Sequence, residues 1–157
     1  MDAKVTWQTG LSFSGTATTG FQVPLGADPL VGGANDGFRP LELMAVSVAG
    51  CTAMDVISIL QKKQQRITAF EVDVHIMQAE EHPKVFTQGL ITYRITGQSV
   101  DEAAVLRAIE LSVEKYCPSL AMLDKTVPFE FDYEVFEIQG DREAQLVKAG
   151  KYQPRPS

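Results

Sequence analysis

Everything else in the chain is organised around one run, Pro40-Leu41-Glu42-Leu43-Met44-Ala45-Val46-Ser47-Val48-Ala49-Gly50-Cys51-Thr52, which continues apolar to Leu60. Proline suits the first position of a helix, where its missing amide costs nothing, and Glu42 comes in the first turn, where the helix dipole favours an acid. The pattern predicts a helix from Pro40 to about Lys63. It is apolar on nearly every face, and such a helix has to be covered on all sides. One small chain with one sheet is short of material for that, so a second subunit is expected to cover part of it. Leu41 to Leu60 also has the length of a membrane span, but Glu42 and Asp55 interrupt it. The expectation is a buried helix of a soluble protein, with no membrane partner.

On the N-terminal side the period is two. Leu11, Phe13, Gly15 and Ala17 alternate with Ser12, Ser14, Thr16 and Thr18, and Phe21, Val23 and Leu25 repeat the pattern after Gly20. With Lys4 to Gln8 these make three antiparallel strands. Gly26 to Gly37 is an aperiodic loop. On the C-terminal side Phe70, Val72, Val74 and Ile76 face one way and Glu71, Asp73 and His75 the other. A turn leads into Ile91, Tyr93 and Ile95, a hairpin with one wet face. Val105, Leu106, Ile109 and Val113 form the stripe of a second, amphipathic helix. A short helical turn, Ser119 to Leu123, comes after Cys117-Pro118. Phe129, Phe131, Tyr133 and Val135 then alternate with acids in a last strand, and Trp7 and these aromatics are expected in the core. Residues 139 to 157 read as a weakly held polar tail, so the domain is placed at 1–138 and the tail at 139–157. The class is α+β, a mainly antiparallel sheet with a long buried helix and a second helix.

At 157 residues the chain has room for one domain. Fourteen Lys and Arg against twenty Asp and Glu give a net charge of -6, which argues against nucleic acid as a partner. Met1-Asp2-Ala3-Lys4 has no apolar run behind it, so no secretory signal is read and the cytoplasm is the expected compartment. Two cysteines, Cys51 and Cys117, are too few for a disulfide scaffold and too far apart for a CxxC site. With His75 and His82 as the only histidines, no zinc-type spacing exists, and no structural metal is expected. Both histidines read as solvated surface.

The cysteines are the groups that carry chemistry. Cys51 sits among Ala49, Gly50 and Thr52, which leave space around the sulfur, and Cys117 sits at a helix end before Pro118. Read as a core residue, Cys51 needs no further reason; read as a nucleophile, it needs a cation to favour its thiolate. Arg39 is the sole arginine before Arg66. Within one straight helix it lies on the order of 18 Å from Cys51, so it acts only through a fold-back or from a second subunit. Glu42 either serves the helix N-terminus or orients that arginine. Asp55, a carboxylate in an apolar helix, needs a partner and either pairs or tunes the site.

The run from Pro40 to Thr52, with Cys117-Pro118-Ser119 further along, resembles the OsmC/Ohr superfamily, named for osmotically inducible protein C and organic hydroperoxide resistance protein. That family shows a P-x-E-L-(x)n-G-C helix and a later C-P dipeptide, and Pro40-Leu41-Glu42-Leu43 is closest to a less characterised P-x-E-L branch. Where established peroxidases carry their acid, ten residues before the first cysteine, this chain has Leu41. The resemblance implies an OsmC-like intertwined homodimer with two thiol sites and no metal, flavin or other cofactor. It implies that Cys51 attacks an organic hydroperoxide and that Cys117 resolves the resulting sulfenate as a disulfide. Glu42 and Arg39 would be their partners, and a dithiol such as a dihydrolipoyl group the reductant.

Two other readings stay open. One is a dimeric small-molecule-binding or redox-sensing protein without peroxidase turnover. The other is a thiol-transfer enzyme needing Cys51 and not Cys117.

Overall fold

A computed structural model describes residues 1–138 and 143–154. The chain divides into two compact units, Met1–Ala45 and Val46–Ser157, and the boundary falls inside the long helix.

In the first unit the strands β1 (Ala3–Thr9), β2 (Ser12–Ala17) and β3 (Gln22–Leu25) form an antiparallel sheet in sequence order. Trp7 pairs with Phe13 across it. Contrary to its expected place in the core, Trp7 is 63% exposed, and its indole N–H donates to the Gly10 carbonyl at 2.9 Å. A small sheet of three strands leaves even a tryptophan wet. The loop after β3 closes around a short 3-10 turn, Pro29–Val31, capped by Asp28, whose carboxylate accepts from the Leu30 amide. A side chain at Gly33 would meet the Ala27 carbonyl oxygen at 2.0 Å, so only glycine fits there.

The helix α1 spans Pro40–Lys62, within a residue of its expected end. Its burial differs from expectation. Val48, Thr52, Val56 and Leu60 are its buried residues, a single stripe of four-residue spacing, while Val46 and Met54 are 55% and 69% exposed. The long helix is therefore mostly exposed in this chain and not buried, because one sheet covers one stripe of a helix. By length and composition alone it is also long and apolar enough to cross a membrane.

In the second unit β4 (Arg66–Gln78) and β5 (Phe86–Gln98) make the expected hairpin, with Phe70, Val72, Val74 and Ile76 inward of their exposed neighbours. His75 and His82 are exposed. On the wet face Arg94 pairs with Asp73 and with Glu134. The helix α2 (Glu102–Leu111) starts at Asp101, which accepts from the Ala103 amide. It runs into a π-turn, Ser112–Tyr116, closed by the Cys117 amide donating to the Ser112 carbonyl at 2.9 Å. The short helix α3 (Pro118–Leu123) comes next, then β6 (Phe129–Glu137).

The second sheet includes a seventh strand, β7 (Gln145–Tyr152), in the order β4-β5-β6-β7, and β5 pairs with β6 in parallel. The mainly antiparallel reading is thus corrected to one antiparallel and one mixed sheet. Parallel neighbours need a long crossover, and α2, the π-turn and α3 supply it. The strand β7, antiparallel to β6, stands where polarity predicts a weakly held tail. Tyr152 meets Phe131 edge-on, and Lys148 and Lys151 bind Glu102 and Glu130. Of that tail, residues 139–142 and 155–157 lie outside the described residues. The core joins Ile91, Tyr93, Ile95, Phe131, Tyr133 and Val135 from the sheet to Val105, Ala108 and Ile109 of α2 and the stripe of α1.

Candidate functional site

The buried stripe of α1 carries the site. Thr52 belongs to it, Cys51 precedes it by one residue, and Asp55 lies one helical turn beyond Cys51, so Cys51 and Asp55 share a side of the helix. Cys117 arrives from the crossover, at the end of the π-turn and the N-cap of α3. The Cys51 and Cys117 sulfurs and an Asp55 carboxylate oxygen all lie within 4.8 Å of one another. Both cysteines are free; Cys51 is half-buried and Cys117 is 2% exposed. Two thiols widely separated in sequence are thus neighbours.

A chain of hydroxyls runs beneath them. Ser112 Oγ donates to Asp55 Oδ2 at 3.0 Å, Thr52 Oγ1 lies 2.9 Å from Ser112 Oγ, and the Tyr93 hydroxyl lies 2.7 Å from Thr52 Oγ1. Each hydroxyl has one proton to give. Ser112 gives its proton to the carboxylate, so Thr52 must donate to Ser112, and Tyr93 to Thr52. The direction of the whole chain is set by its acidic end. Thr52 and Ser112 are fully buried, and burial pushes the Tyr93 phenol up from its usual range.

Burial also pushes the Cys117 thiol up to about 12, assisted by its hydrogen bond to Cys51 and by the nearby Asp55 charge, against an opposing pull from the Leu120 amide. Cys117 is therefore a neutral thiol at neutral pH. The charges acting on it, those of Cys51 and then Asp55, are negative and oppose a thiolate.

Arg39 and Glu42, the partners implied by the resemblance, are found engaged with each other and with Asp28. The Arg39 guanidinium binds Glu42 Oε1 at 2.9 Å and Asp28 Oδ2 at 2.6 Å, and Glu42 Oε2 accepts from the Arg39 amide at 2.9 Å. The last contact is half of a capping box, with Arg39 as N-cap and Glu42 three residues on. The Leu30 amide, and then Arg39, hold the Asp28 carboxyl below its ordinary value; the Arg39 amide, and then its guanidinium, do the same for Glu42. Sequence reasoning singles out Cys51, Cys117 and Asp55. It misses Ser112, Thr52 and Tyr93, and the available signal was a hydroxyl at an inward position of each of three apolar elements.

The profile of the family described as OsmC-like protein matches residues 33–132. The protein YhfA of Escherichia coli is 39% identical over 138 residues, covering 86% of this chain and 98% of its own length. A crystal structure of a hypothetical protein from Aquifex aeolicus is similar at 28% identity and a TM-score of 0.77, over 88% of this chain and 97% of that one. The organic hydroperoxide resistance protein OsmC of Legionella pneumophila shares the fold, with 15% identity, a TM-score of 0.61 and coverage of 85% and 94%. The profile and the YhfA match show that this chain belongs to the OsmC-like family.

Proposed function

We propose that the protein is a thiol peroxidase that reduces organic hydroperoxides. The observation that carries the reading is the pair of sulfurs within 4.8 Å, one half-buried and one buried. Cys51, the more accessible, attacks the terminal oxygen of ROOH as the thiolate; the O–O bond breaks, ROH leaves after protonation, and Cys51 becomes a sulfenic acid. Cys117 then attacks that sulfur, the S–S bond forms, and its thiol proton leaves with the hydroxyl as water. A dithiol, oxidised to its own disulfide, returns both cysteines to thiols. Cys117 is neutral until this step, and the Asp55 carboxylate is placed to relay its proton to the departing hydroxyl.

The proposal includes a homodimer in the cytoplasm, of the P-x-E-L branch that Pro40-Leu41-Glu42-Leu43 spells. Exposed Trp7, Phe21, Val46 and Met54 are apolar area that a second copy would cover. Arg39 and Glu42 remain in the proposal as the cation and the acid that orients it. Their support is the formed Asp28–Arg39–Glu42 cluster, which fixes the guanidinium in place.

The experiment is consumption of cumene or tert-butyl hydroperoxide against hydrogen peroxide with a dihydrolipoyl donor. The intact protein consumes the organic peroxides faster; Cys51→Ser falls to background, and Cys117→Ser consumes a single equivalent and stops. Equal, negligible rates for all three proteins exclude the peroxidase and leave a binding or sensing role. Full turnover by Cys117→Ser points instead to chemistry that Cys51 performs alone.

A further inference from the structure

We propose that Cys51, Asp55 and Cys117 form a binding site for a borderline-soft divalent cation, Zn²⁺ in particular, occupied only when both thiols are reduced. It concerns the same sulfurs as the peroxidase reading and stands without it. The absence of zinc-type spacing in the sequence excluded a cluster of chain neighbours. The fold makes one from residues that are not neighbours.

The geometry suits a small cation. Three atoms within 4.8 Å of one another have a common point that is at most about 2.8 Å from each, against Zn–S of about 2.3 Å and Zn–O of about 2.0–2.2 Å. Closing that gap takes a few tenths of an ångström per ligand, within the reach of side-chain torsions. Two of the three ligands come from one helical turn, Cys51 and Asp55, and keep their relative position without help. The chemistry suits it as well. Two thiolates and a carboxylate are a donor set that zinc accepts, and the fourth, tetrahedral position is left to water.

The surroundings support the carboxylate as a ligand. The Asp55 carboxylate stands with the sulfurs, and its Oδ2 accepts from Ser112, which Thr52 and Tyr93 hold in turn. An oriented carboxylate with an outer hydrogen bond is the usual support of a metal ligand. Asp55 and the two sulfurs are groups of one sign of charge when ionised, and a divalent cation among them attracts all three. Binding replaces two S–H bonds with two metal–sulfur bonds and releases two protons, and no electron moves. A disulfide between the same sulfurs removes both thiolates, so metal and oxidised forms exclude each other.

The test is titration of the reduced protein with Co²⁺ under anaerobic conditions. The expected result is one Co²⁺ per chain, with thiolate-to-metal charge-transfer absorption that Zn²⁺ abolishes. The oxidised protein should show none, and Asp55→Asn should bind at least about tenfold more weakly. Ser112→Ala, which leaves all three ligands in place, should lose roughly 10–100-fold. Absence of the charge-transfer band in the reduced protein overturns the site, as does unchanged affinity in both variants. Failure of hydroperoxide consumption leaves this titration untouched, and failure of Co²⁺ binding leaves the peroxidase untouched.

Discussion

Two clusters in this chain are built from overlapping ingredients and behave as opposites. At the start of α1, Asp28, Arg39 and Glu42 form a charged triad whose side chains are 40%, 40% and 47% exposed. Around the middle of the same helix, Asp55 stands with two thiols and a run of buried hydroxyls. Water screens the first, so its ion pairs contribute little to stability and much to orientation. The second is largely enclosed, with Thr52, Ser112 and Cys117 buried, and each hydrogen bond there is costly to leave unmade. Carboxylates alone do not mark a site; what encloses them decides what they do.

Substitutions should separate the two regions. The largest effect is expected from Leu60→Ala, at the fully buried end of the stripe, which should lose about 2–5 kcal/mol of unfolding free energy in a denaturant titration. A loss below about 1 kcal/mol would mean that the stripe is not the core of this unit. Next comes Ser112→Ala, which strands Asp55 Oδ2 and the Thr52 hydroxyl and should cost about 1–3 kcal/mol. Glu42→Gln keeps a side chain able to accept from the Arg39 amide and should cost under about 1 kcal/mol. If it destabilises more than Ser112→Ala, the contrast between exposed and enclosed clusters fails.

Acid and alkali should distinguish the same regions. Cys117 is raised from 9.0 to about 12, so between those values the unfolded chain gives up a proton that the folded chain keeps. Stability is therefore lost as pH rises from about 9 towards 12, and melting temperature in the reduced protein should fall more steeply than in Cys117→Ala. Asp28 and Glu42 are lowered from 3.8 and 4.5, so their contribution is present above those values and lost as pH falls below them. Glu42→Gln should flatten the acid limb and leave the alkaline one unchanged.

Much of this was legible in the residues. Period two located β4, β5 and β6 and their inward faces, Pro40 marked the start of α1, and Cys117-Pro118 marked the start of α3. Periodicity records which face is inward and not which strand lies alongside, so the parallel pairing of β5 with β6 was lost, although the helical connection between them was a readable sign of it. The tail after residue 138 reads as loose from its polarity, which an edge strand such as β7 also has. Apolar composition makes α1 look buried, and Val46 and Met54 show that composition sets what a helix can cover, not what one chain covers. The site was half legible. Cysteines are conspicuous, whereas Ser112 and Thr52 look like any other small polar residues until a third element brings Tyr93 to them.

The π-turn before Cys117 acts as a slack in the winding. Its closing bond reaches back five residues instead of four, so the backbone carries one residue more than an α-helical path would need. The surplus is taken up inside Ser112–Tyr116, and Cys117 and α3 leave the turn nearly in the register that the shorter path would give them. Deleting one residue between 113 and 116 should leave far-ultraviolet dichroism nearly intact, and oxidants should still join the two sulfurs. Chain length can change in this one turn with the cysteines kept in step.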